Sequence, residues 1–370
     1  MPKILKKYLI VLVAFIVTLI GVGLVVQHYL EVQRDKAYLV TQQKLAAEST
    51  FEPVLPDRKV SFPADFTVHP KYQHEVWRFI ATLKDDKGEE YLVQWFLFRI
   101  AMSEVQGVSW ESPQIYTSQA IVTTPEQVFL EQRFARGGIG IVGIRQRPYQ
   151  LSIDNWAIRS FSNSPIPGRV SISTEQFKVQ LTTELTQPYI PLGDRGYQIT
   201  HDLVSRAFYG YSAPYVDTSG TITIGNQMVG VSGKASFSQV WGTDIIGTGQ
   251  SGYAHIMLRL EDGRVLSVVK TQYKDHVQPY VFGNLFTPDG GHVALNSDQI
   301  DMHFLSQSTL ANGKILPLKW AINVPDFDIF LTARTARYNQ WANLSIPSWS
   351  GRMKTTGNIK ANGYMQLIGY

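Results

Sequence analysis

A chain of 370 residues with no cysteine carries no disulfide, no thiolate nucleophile, no cysteine-ligated zinc and no lipidated cysteine. Its net charge of +4 is small for that length, and beyond Lys7 the basic residues are scattered, which speaks against a nucleic-acid surface. The length is enough for two hydrophobic cores of ordinary size.

The first predicted element is Tyr8–Val26, YLIVLVAFIVTLIGVGLVV, which contains no charge. A bilayer core takes about 20 apolar helical residues to cross, and this run is about that long. A cleavable signal sequence has a shorter apolar stretch ending in a small-residue site, whereas this run leaves into Gln27-His28-Tyr29-Leu30-Glu31. Lys3, Lys6 and Lys7 precede it and Arg34 and Lys36 follow, a modest bias toward a cytoplasmic N-terminus. The reading is an uncleaved signal-anchor over residues 1–30, single-pass in the inner (cytoplasmic) membrane, with the globular part periplasmic or extracellular. Residues 31–55 are read as a helical stalk, Glu31–Glu48, and the start of an extended lead-in, Phe51–Pro63, which holds three prolines.

From His74 onward the pattern is β. His74–Leu83 and Tyr91–Ile100 flank the turn cluster Lys84-Asp85-Asp86-Lys87-Gly88 and predict a hairpin. Strands are then expected at Ile115–Thr123, Val128–Phe134, Leu151–Ser160, Gln176–Leu185, Thr221–Ile224 and Met228–Phe237. In Gln176–Leu185 the apolar Phe177, Val179 and Leu181 alternate with Lys178, Gln180 and Thr182. A second series follows the Gly-rich Gly242–Gly252. Tyr253–Leu260 and Val265–Thr271 flank Glu261-Asp262-Gly263-Arg264, whose Asp-Gly is the strongest hairpin signal in the chain. Val281–Phe286, Gln299–Leu305, Leu318–Val324, Asp328–Thr332, Gly351–Thr356 and Tyr364–Ile368 complete it. Two series of closely spaced strands predict an all-β chain of two tandem units, sandwiches or barrels, over residues 56–243 and 244–370; Tyr209–Ser219 is the other stretch where the boundary could fall.

Two G-x-G-x-x-G matches, Gly138–Gly143 and Gly247–Gly252, lie among strands, not in the strand–turn–helix unit that binds dinucleotides. Gly249-Gln250-Ser251-Gly252 falls one residue short of a serine-hydrolase elbow. His69 and His74 beside Glu75 have no metal-ligand spacing and read as hydrogen-bonding or surface residues, so neither metal nor cofactor is expected. Polar residues inside apolar strands are more telling. Glu75 opens His74-Glu75-Val76-Trp77-Arg78-Phe79, and Asp194 sits in Gly193-Asp194-Arg195-Gly196. An inward carboxylate is costly unless paired, with Arg195 or Arg78 as the partner considered. Such residues serve either as buried ion pairs joining strands or as catalytic acids.

Phe62-Pro63-Ala64-Asp65 with His69-Pro70, Glu75-Val76-Trp77, Glu131-Gln132-Arg133-Phe134-Ala135-Arg136-Gly137, Asp154-Asn155-Trp156, Gly193-Asp194-Arg195-Gly196, Val231-Ser232-Gly233, Val240-Trp241-Gly242 and Gly363-Tyr364…Leu367-Ile368-Gly369-Tyr370 occur in one order. In that order and spacing the chain resembles the AttH-like family, which includes the carotenoid 1,2-hydratases, from about Phe51 to the end. The resemblance implies two lipocalin-like β-barrels, an apolar ligand and, by analogy, a transporter permease as partner. In hydratase-like members an acid just before the Trp-Gly pair looks like the proton donor; here those positions are Ser238 and Val240. Arg78 stands where a second tryptophan follows the Glu-Trp pair, and the late Trp-Glu-Gly pattern reads Trp349-Ser350-Gly351.

The function expected is therefore a membrane-tethered lipocalin-like protein that binds or carries a small apolar ligand at the periplasmic face, with Trp77, Trp95, Tyr209, Tyr211 and Trp241 around the ligand. The second reading is a hydratase- or hydrolase-like enzyme acting on a polyene or lipid, with Glu75, Asp194 or Asp244 as acid. The third is a pair of jelly-roll modules binding glycan, with sugar stacked on Trp77, Trp95 and Trp241, which requires those rings to be exposed.

Overall fold

The computed structural model describes residues 20–30, 51–103, 109–201, 206–243, 250–273, 278–335 and 337–370. Residues 20–30 are helical and exposed; the rest of the Tyr8–Val26 run, residues 31–50 and Asp244 lie outside the described residues. Among the described residues no helix is long and apolar enough to cross a membrane.

The remainder is nearly all β. One sheet comprises β1 (His74–Lys84), β2 (Glu90–Ala101), β3 (Gln114–Thr123), β4 (Val128–Arg136), β5 (Val142–Gln146), β6 (Tyr149–Ile153), β7 (Trp156–Arg159), β8 (Gly168–Ser173), β9 (Phe177–Leu185), β10 (Ile190–Pro191), β11 (Tyr197–His201), β12 (Arg206–Ile224) and β13 (Gln227–Gly242). Its strand order is β4-β3-β2-β1-β13-β12-β9-β8-β7-β6-β5, with β10 and β11 also paired to β12. Side chains bring its two ends together: the Arg133 guanidinium of β4 lies 4.7 Å over the Trp156 ring of β7, and Phe129 meets Phe177. The second sheet comprises β14 (Gln250–Leu260), β15 (Val265–Tyr273), β16 (Val281–Phe286), β17 (His292–Leu295), β18 (Asp301–Thr309), β19 (Ile315–Val324), β20 (Ile329–Thr335), β21 (Trp341–Ala342), β22 (Ser348–Gly357) and β23 (Ala361–Ile368). It runs β17-β16-β15-β14-β23-β22-β20-β19-β18. Each sheet curls round a core of its own.

The short strands β5, β8, β10, β11, β17 and β21 have no counterpart in the sequence expectation, and two of the stretches considered there differ in the structure. Leu151–Ser160 is not one strand: Asp154, at φ 54°, turns the chain with Asn155 between β6 and β7. Asp and Asn tolerate that left-handed backbone without a glycine to advertise it. Tyr209–Ser219, considered as a boundary, lies within the single 19-residue strand β12.

The segment 51–73, part of it assigned to a linker, plugs one end of the first barrel. Val60, Phe66 and Tyr72 are buried in its core. Phe62 and Phe66 stack at 4.9 Å and both meet Tyr189 and Tyr211. The Tyr209 hydroxyl donates to the Leu55 carbonyl and accepts from the Leu55 amide, at 2.6 and 2.7 Å.

Strand alternation explains how the barrels meet. On β1 the odd residues Trp77, Phe79, Ala81 and Leu83 enter the first core, while Val76 and Ile80 face outward. They join Leu92, Phe96, Val240, Met257, Val265, Phe286 and Tyr364 in a third apolar cluster, the seam between the barrels. Glu90 pairs with Arg352 at 2.8 Å across it, and the Tyr215 hydroxyl donates to the carbonyls of Gly263 and Phe286.

Candidate functional site

Register builds two rows of functional side chains on the two faces of β1. The inner row runs Tyr209–Trp241–Glu75–Arg99–Tyr116, because β1 pairs Glu75 with Trp241 on one side and Arg99 on the other. The plugging segment adds His69 and Asp65. Glu75 is completely buried and accepts four hydrogen bonds: from His69 Nδ1 at 2.6 Å, Gln239 Nε2 at 2.7 Å, the His69 amide at 2.9 Å and Arg99 Nε at 3.0 Å. Arg99 also donates to Gln114 and to the carbonyls of His69 and Tyr72. The second ring nitrogen of His69 lies 3.1 Å from Asp65, which takes Arg58 at 2.7 Å. The result is a chain of alternating charge: Arg58, Asp65, His69, Glu75, Arg99. The His69 ring lies flat on Trp241, 3.7 Å between centroids.

Burial works against the charges of Arg58, Asp65, His69 and Glu75, and the facing partners outweigh it. Glu75 stays below the ordinary carboxylate value because His69 and Arg99 face it, and Asp65 is lowered by His69, the Ser61 amide and Arg58. His69 is raised because carboxylates meet both its nitrogens. Glu75 is thus held as a carboxylate. The partner arginine is neither Arg195 nor Arg78. Arg195 pairs with its neighbour Asp194 on an exposed turn, where the Asp194 side chain is 71% accessible. Arg78 is three residues from Glu75 on the same strand and so emerges on the opposite face.

The sign of each shift predicts the pH profile. A raised His69 contributes stability that is complete below its ordinary 6.5 and is lost as pH rises through the raised value. His255, buried in the seam and lowered to about 3 by burial and Arg78, works the other way: stability falls as pH drops below 6.5 because the unfolded chain takes up that proton first. Glu75 and Asp65 add a further loss only below their ordinary 4.5 and 3.8. Thermal melts across pH are expected to peak near 6.5, and His69→Gln is expected to flatten the alkaline limb while keeping the acid one.

The five proposed ligand residues all belong to the first core. Trp77, Trp95 and Trp241 are 2%, 2% and 0% accessible, which removes them as glycan-stacking platforms. Trp95 donates to Ser118 at 2.7 Å, and the Tyr211 hydroxyl donates to Gln239 at 2.6 Å. Glu75, Tyr209, Tyr211 and Trp241 are brought together; Asp194 is not, and Asp244 lies outside the described residues.

The outer row runs Ser212–Ser238–Arg78–Phe96 and faces β14, β15, β16 and β23 of the second barrel. Between them lies a cavity of about 60 Å³. Its walls are apolar at Ile80, Phe208, Val240, Met257 and Phe282, and polar at Arg78, Ser238, His255, Ser267, Asn284 and Tyr364. Nε of Arg78 and Nδ1 of His255 are buried there with no protein acceptor or donor. His255 Nε2 meets Ser267 Oγ at 2.9 Å. Ser238 and Val240, the two positions that the resemblance links to a proton donor, both open here. Among the described lining residues there is no carboxyl group. Sequence reasoning missed this site because its far wall comes from strands that meet β1 only when the barrels dock.

The AttH-like family model matches residues 53–370. The fold is similar to that of an AttH protein from Nitrosomonas europaea, at 22% identity and TM-score 0.77, covering 86% of this chain and 99% of that one. It is also similar to kievitone hydratase from Nectria haematococca, at 12% identity and TM-score 0.63, covering 86% and 96%. CghA, solved with Sch210972, matches at 12% and 0.54 over the same shares. A sequence comparison with curated proteins gave no match.

Proposed function

We propose a function from one premise: the chain belongs to the AttH-like family, with two lipocalin-like barrels in a fold shared with a hydratase. On that premise it binds or carries an organic ligand with an apolar body and a carboxylate end, received between the barrels. The observation that carries this reading is Arg78, which lines the seam cavity with its Nε unpaired. Arg78 is half-buried, but its Nε is shielded from solvent and has no acceptor, which is costly; a carboxylate fits the guanidinium fork through paired hydrogen bonds. Ser238 and Tyr364 supply hydroxyls beside it, and a neutral His255 leaves the positive charge to Arg78 alone. A cavity of about 60 Å³ takes the head group; a longer body follows the apolar wall as the seam parts.

Hydration of an alkene needs a positioned acid to protonate carbon. Serine and valine at 238 and 240 cannot do this, His255 is uncharged above about pH 3, and Glu75 lies on the far face of β1. Binding is therefore favoured over turnover. The Tyr8–Val26 run would hold the module at the periplasmic face of the inner membrane, beside a transporter permease as client; co-purification from detergent-solubilised membranes tests that pairing.

Titration calorimetry with hexanoate and its uncharged amide tests the ligand class. Hexanoate is expected to bind the full-length protein, and Arg78→Met to weaken it about 10- to 100-fold, the worth of a charge-assisted contact. Equal binding of acid and amide, or an Arg78→Met variant that binds hexanoate like the native protein, overturns the assignment.

A further inference from the structure

A second polar surface lies on the outside of the first barrel. Arg145, Gln150, Arg159, Arg169 and Thr182 are register neighbours across β5, β6, β7, β8 and β9, so they form one outward row. The three arginines are exposed, and none is ion-paired among the described residues. They line a groove of about 740 Å³ in which Glu184 is the sole carboxylate among the described residues. At its rim Phe161 is fully exposed on the loop after β7. Arg145 donates to Gln150 within the row, yet none of the three has an acid partner among the described residues; a fully exposed ring beside such arginines matches a bilayer interface, where anionic head groups meet arginine and a ring enters the acyl boundary.

The placement of this row supports the same occupant. The Gln146 side chain, next to Arg145, donates to the Pro63 carbonyl, and the Tyr149 amide donates to the Ser162 carbonyl at 2.8 Å. The Ile166 amide donates to the Tyr189 hydroxyl at 2.7 Å, and Tyr189 packs on Phe62 and Phe66. The groove therefore opens at the end of the barrel plugged by residues 51–73, the end from which the chain leads back toward Tyr8–Val26. Residues 31–50 lie between the described helix and that plug, and twenty residues reach at most roughly 70 Å.

We infer that Arg145, Arg159, Arg169 and Phe161 form a docking surface for an anionic phospholipid bilayer, which sets the barrel against the membrane rather than leaving it loose on its stalk. The inference rests on the proposed tether only for proximity, and the experiment separates the two. The chain has no cysteine, so Asn163→Cys accepts a single polarity-sensitive fluorophore on the Phe161 loop. The full-length labelled protein is mixed with phosphatidylcholine vesicles, with and without phosphatidylglycerol. Flotation with the neutral vesicles reports the tether; a blue-shifted, brighter probe reports docking.

The expected result is a shift with phosphatidylglycerol that disappears at high salt and in the triple variant Arg145→Gln, Arg159→Gln, Arg169→Gln. About a fivefold loss per arginine makes about a hundredfold in the docked fraction's equilibrium constant. Phe161→Ser should keep the salt-sensitive attraction while reducing probe depth. Protein that floats with both vesicle types while the probe emits identically, or a triple variant that shifts like the native chain, overturns the docking surface and leaves the tether intact. A shift confined to phosphatidylglycerol vesicles without flotation on neutral ones supports the surface and removes the tether.

Discussion

Glu75→Gln is expected to lower the unfolding free energy by about 3–5 kcal/mol, the cost of leaving a buried charge without its partner. The glutamine fits the space but supplies no charge, so Arg99, with no accessible side-chain surface, faces only neutral acceptors. His69 loses one of its two carboxylates at the same time. The double variant Glu75→Gln, Arg99→Met is expected to recover much of the loss, because neither half of the pair is then left alone. Urea unfolding measures both, read as a lower midpoint at unchanged slope. A loss under about 1 kcal/mol for Glu75→Gln would show that the alternating chain is not structural and would return Glu75 to the list of catalytic candidates.

Trp241→Ala comes next, at about 3–5 kcal/mol, as for removal of any large fully buried aromatic side chain. Trp241 does more than fill volume. Its ring carries His69 on one face and lies near Tyr209, Tyr211 and the Arg58 guanidinium, 5.5 Å away. Three of the contacts that seat the 51–73 plug therefore meet on one indole: His69 directly, Arg58 across its face, and Tyr209 through the Leu55 hydrogen bonds. Limited proteolysis of the variant should cut within 51–73 well before the strands, and Trp241→Phe, which keeps a ring under His69, should lose far less. Uniform digestion of plug and strands would mean that the plug is not seated by this residue.

Much of this architecture is legible in the sequence. Alternation and turn residues mark most strands, and the Asp262-Gly263 turn does join β14 to β15. The exceptions have physical causes. Asp154-Asn155 hides a hairpin because no glycine interrupts a largely apolar run. The long β12 conceals its continuity because Gly210 and the hydroxyl-rich Thr218–Thr223 look like a break. Glu75 was identifiable as a buried carboxylate, and its partner was within reach too. Counting outward from the turn at Asp85–Glu89 places Glu75 opposite Arg99, not Arg78. His69 could not be found that way, since it reaches Glu75 from a segment with no regular register. The seam cavity was not readable at all, because His255, Asn284 and Tyr364 come from three different strands of a barrel whose docking no local pattern encodes.

β1 is in effect a party wall. Its even side chains open on the seam cavity and its odd ones on the charge network that holds the plug, with one backbone thickness between them. If the seam cavity takes the proposed ligand, a change at Arg78, or at Ser238 opposite it, alters what is accepted without entering the first core. A protein of this design can move from one ligand to another through single substitutions on one face of a strand, while the other face keeps the barrel folded and closed.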